Sequence, residues 1–135
     1  MSVQLSVTVR NARLDAIEST IGTAPLLKIR TGAQPATCAT ADSGTVVATL
    51  TLPSDWLAAA SSGSKAKSGT WQDSSADASG TAAHFRIYDS TGTTCHLQGS
   101  VTATGGGGDM TVDNTSFSAG QSFTINTFTL TDANA

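Results

Sequence analysis

Thr81-Ala82-Ala83-His84-Phe85-Arg86-Ile87-Tyr88-Asp89-Ser90-Thr91-Gly92, continued by TTCHLQGSVTA from Thr93 to Ala103, reads as two strands around a tight turn. Phe85 and Ile87 share one parity and Arg86 and Tyr88 the other, the period of a strand with one apolar face. Asp89-Ser90-Thr91-Gly92 supplies turn chemistry, and Cys95, Leu97 and Val101 return in phase. This hairpin decides for an all-β chain.

The same period extends outward. Val46, Ala48, Leu50 and Leu52 alternate until Pro53, and Leu26 to Ile29 is an apolar run closed by Thr31-Gly32. Lys67 to Gln72 suggests a strand around Trp71, and Met110 with Val112 a short one. The last strand, Phe123 to Leu130, changes parity: Phe123 and Ile125 point one way, Phe128 and Leu130 the other. A bulge near Asn126-Thr127 restores the register, unless both faces are buried. Val3, Leu5, Val7 and Val9 also alternate, which predicts an N-terminal strand over residues 1–10, either an edge strand or an extended arm. Asn11 then reads as the N-cap of a short helix from Ala12 to Ile21 that stops at Gly22. A helix over the whole N-terminus is the alternative, and the β-branched alternation argues against it.

Seven or eight strands, with turn signals every 8–12 residues, predict an antiparallel β-sandwich and a single domain over residues 1–135. Only 13% of the residues are charged and 5% aromatic, with two histidines and a single glutamate, Glu18. Catalysis needs titratable groups converging in a pocket, so the chain reads as a non-enzyme. A net charge of −3 offers no field for nucleic acid. No apolar run is long enough to span a bilayer, and the N-terminus lacks the pattern of a secretory signal. The expectation is therefore synthesis in a cytoplasm, with no membrane partner.

Cys38 and Cys95 are expected as free, buried thiols in a reducing compartment, whereas an oxidising one would link them. His84 and His96, on paired strands near Asp89, lack a recognised ligand spacing, and Asp73 and Asp77 lack an EF-hand pattern, so no metal and no cofactor are expected. Gly105 to Gly108 is not followed by the Lys-Ser/Thr pair of a phosphate loop and reads as a flexible connection or a close backbone approach. Trp56, Leu57 and Tyr88 are the candidate interface residues, since aromatics on loops or on a wet face anchor protein contacts. Trp71 is expected to cap the core.

Four segments carry a resemblance: Leu14-Asp15-Ala16-Ile17-Glu18-Ser19-Thr20-Ile21-Gly22, Leu52-Pro53-Ser54-Asp55-Trp56-Leu57, Gly69-Thr70-Trp71-Gln72-Asp73 and Phe85-Arg86-Ile87-Tyr88-Asp89. From Asn11 onward the chain resembles a family of small proteins encoded by tailed bacteriophages and prophages. Within that family it is similar to the jelly-roll capsid cementing (decoration) proteins of short-tailed phages. The resemblance implies a jelly-roll-like sandwich on the capsid surface of a virion, bridging neighbouring major capsid proteins and self-associating as a dimer or trimer. It carries no required residue. A tail, neck or baseplate module would suit the same composition. A carbohydrate-binding sandwich would need Trp56, Trp71 and Tyr88 on one face.

Overall fold

The computed structural model describes residues 3–132. It is mostly β, with one helix and ten strands among the described residues. The helix α1 spans Val7–Ile21. The strands are β1 (Leu26–Arg30), β2 (Val46–Thr51), β3 (Ser64–Ala66), β4 (Gln72–Asp73), β5 (Gly80–Thr81), β6 (His84–Tyr88), β7 (Cys95–Ala103), β8 (Met110–Val112), β9 (Ser116–Phe117) and β10 (Phe123–Thr131).

The N-terminal strand is overturned. Residues 3–6 lie outside regular structure, and Val7, Val9 and Asn11 all belong to α1. Ser6, not Asn11, is the N-cap: its backbone is extended and its hydroxyl accepts from Val9 N at 3.3 Å. Gly22 ends the helix as expected. Alternation in this segment misleads because α1 is held by polar groups. Asn11, Asp15, Glu18 and Gly22 form a stripe at helical spacing along one face. Their oxygens accept from Gly63 N, Ala60 N, Leu57 N and Trp56 Nε1 at 2.9–3.0 Å. Buried Lys65 completes the dock, 2.7 Å from Asp15 and 3.1 Å from Glu18. Burial works against the Lys65 charge, but the hydrogen bonds to Asp15 and Glu18 outweigh it and hold its pKa above the ordinary value.

Eight strands form one sheet in the order β2-β1-β6-β7-β8-β10-β3, with β4 also on β10, while β5 and β9 make a separate two-stranded ribbon. The predicted hairpin is β6–β7, and the predicted bulge in β10 lies between Ile125 and Thr127. The strand expected over residues 67–72 does not form: Lys67 makes an isolated bridge and residues 68–71, Trp71 among them, link β3 to β4 outside regular structure. The purely antiparallel expectation fails at one pair: β7 and β8 run parallel, Val101 opposite Met110. Parallel neighbours ordinarily require a connection of a dozen residues or more. Here six residues, Thr104 to Asp109, suffice, because Gly105 and Gly107 take positive φ and Gly106 and Gly108 press on Thr102. A Cβ on either of the latter would lie 2.8 Å from the Thr102 side chain.

The sheet curls around its core. Phe85 of β6 meets Phe128 of β10 edge-on at 5.5 Å, although two strands separate them in sheet order. Trp71 packs at a tilt against Phe128 at 5.5 Å and against Trp56 at 6.1 Å, so an aromatic chain runs through the core. The free side of β2 is closed by residues 73–78: Asp73 Oδ2 accepts from Thr49 N, Asp77 Oδ2 from Thr49 Oγ1, and Val47 O from Asp77 N. On the far side, residues 57–61 line β3 through bridges from Leu57 to Lys67 and from Ser61 to Ser64. Thr131, the last paired residue of β10, opens the C-terminal segment Thr131 to Ala135. Its final three residues lie outside the described residues.

Candidate functional site

All five residues of β6 are buried. Phe85 and Ile87 face the core, so His84, Arg86 and Tyr88 must be covered from outside. The cover is the 33–44 loop, a strap laid across β1, β6 and β7. Arg86 grips it: Nη2 donates to the carbonyls of Thr37 (3.1 Å), Cys38 (2.9 Å) and Thr40 (3.0 Å), and Nη1 to Asp42 Oδ1. Nε donates to Gln98 Oε1 at 3.1 Å, and Gln98 Nε2 donates to Pro35 O at 2.8 Å. Asp42 also accepts from Tyr88 OH at 2.6 Å and from Arg30 Nη2 at 3.0 Å. One carboxylate thus meets two guanidiniums and a phenol.

The charges are consistent with that geometry. Burial works to raise the Asp42 pKa, yet hydrogen bonds from Tyr88 and Arg86 and the Arg30 charge hold it below the usual range. Burial, then the bond to Asp42, push the Tyr88 phenol up. For Arg86 burial is outweighed by Asp42, and the guanidinium stays charged. Every nitrogen of this guanidinium is engaged by the protein itself, so the cluster fastens the strap.

A cavity of about 230 Å³ opens beside the strap, lined by Cys38, Asp42, Arg86, Tyr88, Thr93 and Cys95. Cys95 is there because β7 bulges. Ile87 pairs with Leu97, but Tyr88 pairs with Cys95, leaving His96 as the extra residue. The bulge turns Cys95 out of phase with Leu97, which packs against the core, and onto the strap side. Both cysteines are free and half-buried. Burial, followed by the neighbouring Cys38 thiol, pushes the Cys95 thiol up to about 11.

The three candidate interface residues lie inside: Trp56 is 0%, Leu57 1% and Tyr88 3% exposed. Trp56 and Leu57 belong to the core cluster, and Tyr88 is covered by the strap and by Lys28, whose Nζ sits 5.3 Å from the ring centroid. These residues are not exposed as a docking face, and Trp56, Trp71 and Tyr88 do not line a common open face because all three are buried. His84 pairs with Ser100, four residues along β7 from His96, and its Nδ1 contacts Gly32 O at 2.9 Å. No cluster of three or more metal-ligating side chains occurs among the described residues. Asp73 and Asp77 each direct one oxygen to Thr49 of β2, and the other Asp73 oxygen accepts from Ser75 N.

The apolar side chains left in water sit elsewhere. Val3 is 79% and Val7 and Val9 are each 45% exposed, all at the entry to α1. Further along α1, Ile17, Thr20 and Ile21 meet His96 in a groove of about 290 Å³. Sequence reasoning missed the Arg30–Asp42–Arg86 cluster. Its only signal was an arginine in each of two apolar strands, Arg86 in the middle of β6 and Arg30 at the end of β1. No helix is long and apolar enough to cross a membrane among the described residues. No protein family matches the chain, and no curated protein or solved structure matches it.

Proposed function

We propose that this chain is a non-catalytic virion component, a capsid cementing protein that binds the outer surface of an assembled phage shell and bridges neighbouring major capsid proteins. The observation that carries the reading is the placement of exposed apolar surface. Val3, Val7 and Val9 are gathered in the first nine residues, while the aromatic chain is sealed inside. An interaction module concentrates accessible apolar surface where its partner docks. Few charges elsewhere let the remaining surface approach a lattice without desolvating many ions.

In this reading the curled sheet serves as a jelly-roll-like sandwich, with β2-β1-β6-β7 as one layer and β8, β10, β3 and β4 as the other. Copies associate as dimers or trimers on the shell, and the protein is made in the host cytoplasm before joining the virion. Binding the lattice but not its dissociated subunits would stabilise heads by mass action.

The test is to mix the purified chain with expanded heads, sediment, and count copies against the major capsid protein. A ratio near one, or a simple fraction such as one third, is expected. The triple substitution Val3→Ser, Val7→Ser, Val9→Ser should weaken binding by roughly tenfold or more, since each removes about 1 kcal/mol of apolar contact. A few copies per particle would transfer the protein to a tail, neck or baseplate. Failure to bind any particle would remove both readings.

A further inference from the structure

The strap and β7 each contribute one cysteine to the same cavity beside Asp42, Arg86 and Tyr88. Two features of the backbone bring them there. Arg86 holds the Cys38 carbonyl at 2.9 Å and the flanking carbonyls of Thr37 and Thr40, which pins the strap at this residue. The β7 bulge at His96 places Cys95 opposite Tyr88 and on the strap side of the sheet. The thiols are near enough that Cys38 alters the proton affinity of Cys95. Both side chains are half-buried, not sealed. Neither thiol belongs to the core cluster, and Cys38 enters the Arg86 cluster only through its backbone carbonyl.

We propose that Cys38 and Cys95 are a disulfide-forming pair, a modification site that converts the hydrogen-bonded strap into a covalent one in an oxidising environment. The oxidant is a low-molecular-weight disulfide of the glutathione class. The Cys38 thiolate attacks it, forming a mixed disulfide and releasing one small thiol. Cys95 then loses its proton to water and its sulfur displaces the second small thiol from Cys38 Sγ. Two protein thiols are oxidised by two electrons and one small disulfide is reduced to two thiols. The bond closes a long loop, from the strap to the far strand of the hairpin, so it restricts the unfolded chain strongly. The inference stands apart from the capsid reading, since it concerns the isolated chain.

The experiment uses the reduced full chain incubated with oxidised glutathione, followed by intact mass, non-reducing peptide mapping and thermal melting. The expected product is lighter by two hydrogens, carries no glutathione and joins the Cys38 and Cys95 peptides. Its melting temperature should rise by about 5–10 °C and fall back on reduction. Cys38→Ser and Cys95→Ser should each show no rise, and Cys95→Ser should keep one glutathione on Cys38. Two stable glutathione adducts per chain, disulfide-linked dimers, or a link with unchanged melting temperature would overturn the proposal. Because the reduced and oxidised forms are the same chain, a poorly folding variant cannot obscure the result.

Discussion

Arg86 sits in the middle of β6 where period-two alternation assigns a solvent-facing side chain, yet it is fully buried. Alternation identifies which side of a strand a residue occupies and says nothing of what lies over that side. The covering strap has no pattern of its own: it is a run of small and polar residues around Pro35 and Cys38. Its anchors were therefore illegible, while the hairpin beneath them was plain from Phe85, Ile87 and the Asp89–Gly92 turn. The Asp42→Ala variant should be less stable by about 3–5 kcal/mol, because Arg86 and Arg30 lose the carboxylate they share among the described residues while remaining buried. Asp42→Asn should cost less than Ala, since the amide oxygen still accepts a hydrogen bond. Urea titration of the pair distinguishes a charge-fastened strap from a merely space-filling one. Gly99 makes a second point at this scale. It lies opposite Phe85, and a Cβ there would fall 2.7 Å from the ring. Gly99→Ala should cost about 1–3 kcal/mol through displacement of the Phe85–Phe128 contact, read by the same titration.

At the scale of elements, α1 and β10 contrast. The bulge in β10 was legible because a parity break between Ile125 and Phe128 leaves few other solutions. The start of α1 was not, because Val3, Leu5, Val7 and Val9 match a strand period without forming one. What decides for helix is the stripe Asn11, Asp15, Glu18, Gly22, which satisfies backbone N–H groups of residues 57–63 and the Trp56 indole. Asn11 is not the N-cap expected of it: it lies inside α1, and its side chain accepts from Gly63 N across the dock. Asn11→Ala should therefore leave a half-buried loop amide without its acceptor and lower stability by about 1–2 kcal/mol. In a chain of this length that is a melting-temperature loss of roughly 3–8 °C, measurable by calorimetry.

For the whole molecule, the shifted groups define a stability plateau. Asp42, Asp15 and Asp89 have lowered pKa values, so the stability they lend is complete above about pH 4 and fades as the pH falls through their folded values. Cys95, Tyr88 and Lys65 are raised. Their contribution is complete below their unfolded values and fades as the pH climbs, Cys95 first, from about 8.5 upward. Denaturation midpoints of the reduced chain should be flat from about pH 5 to 8, and Cys95→Ser should extend the plateau toward about pH 10. Sequence pattern reached the mainly β class and most strand positions. It missed the mixed sheet, because a parallel β7–β8 pair made by six residues depends on the backbone freedom of Gly105 and Gly107 and on contact with Thr102, neither of which alternation encodes.

The closed flanks of the sheet carry one more consequence. An uncovered outer strand is a template on which identical chains can add without limit, the route to fibrils and amorphous precipitate. Here the side of β2 is occupied by Asp73, Asp77 and their own backbone, and the side of β3 by residues 57–61. Concentrated solutions of this protein should stay clear and free of thioflavin-positive material. Replacing both aspartates by alanine should shorten the lag before turbidity appears, because it strips the carboxylates from the strand most able to recruit another copy.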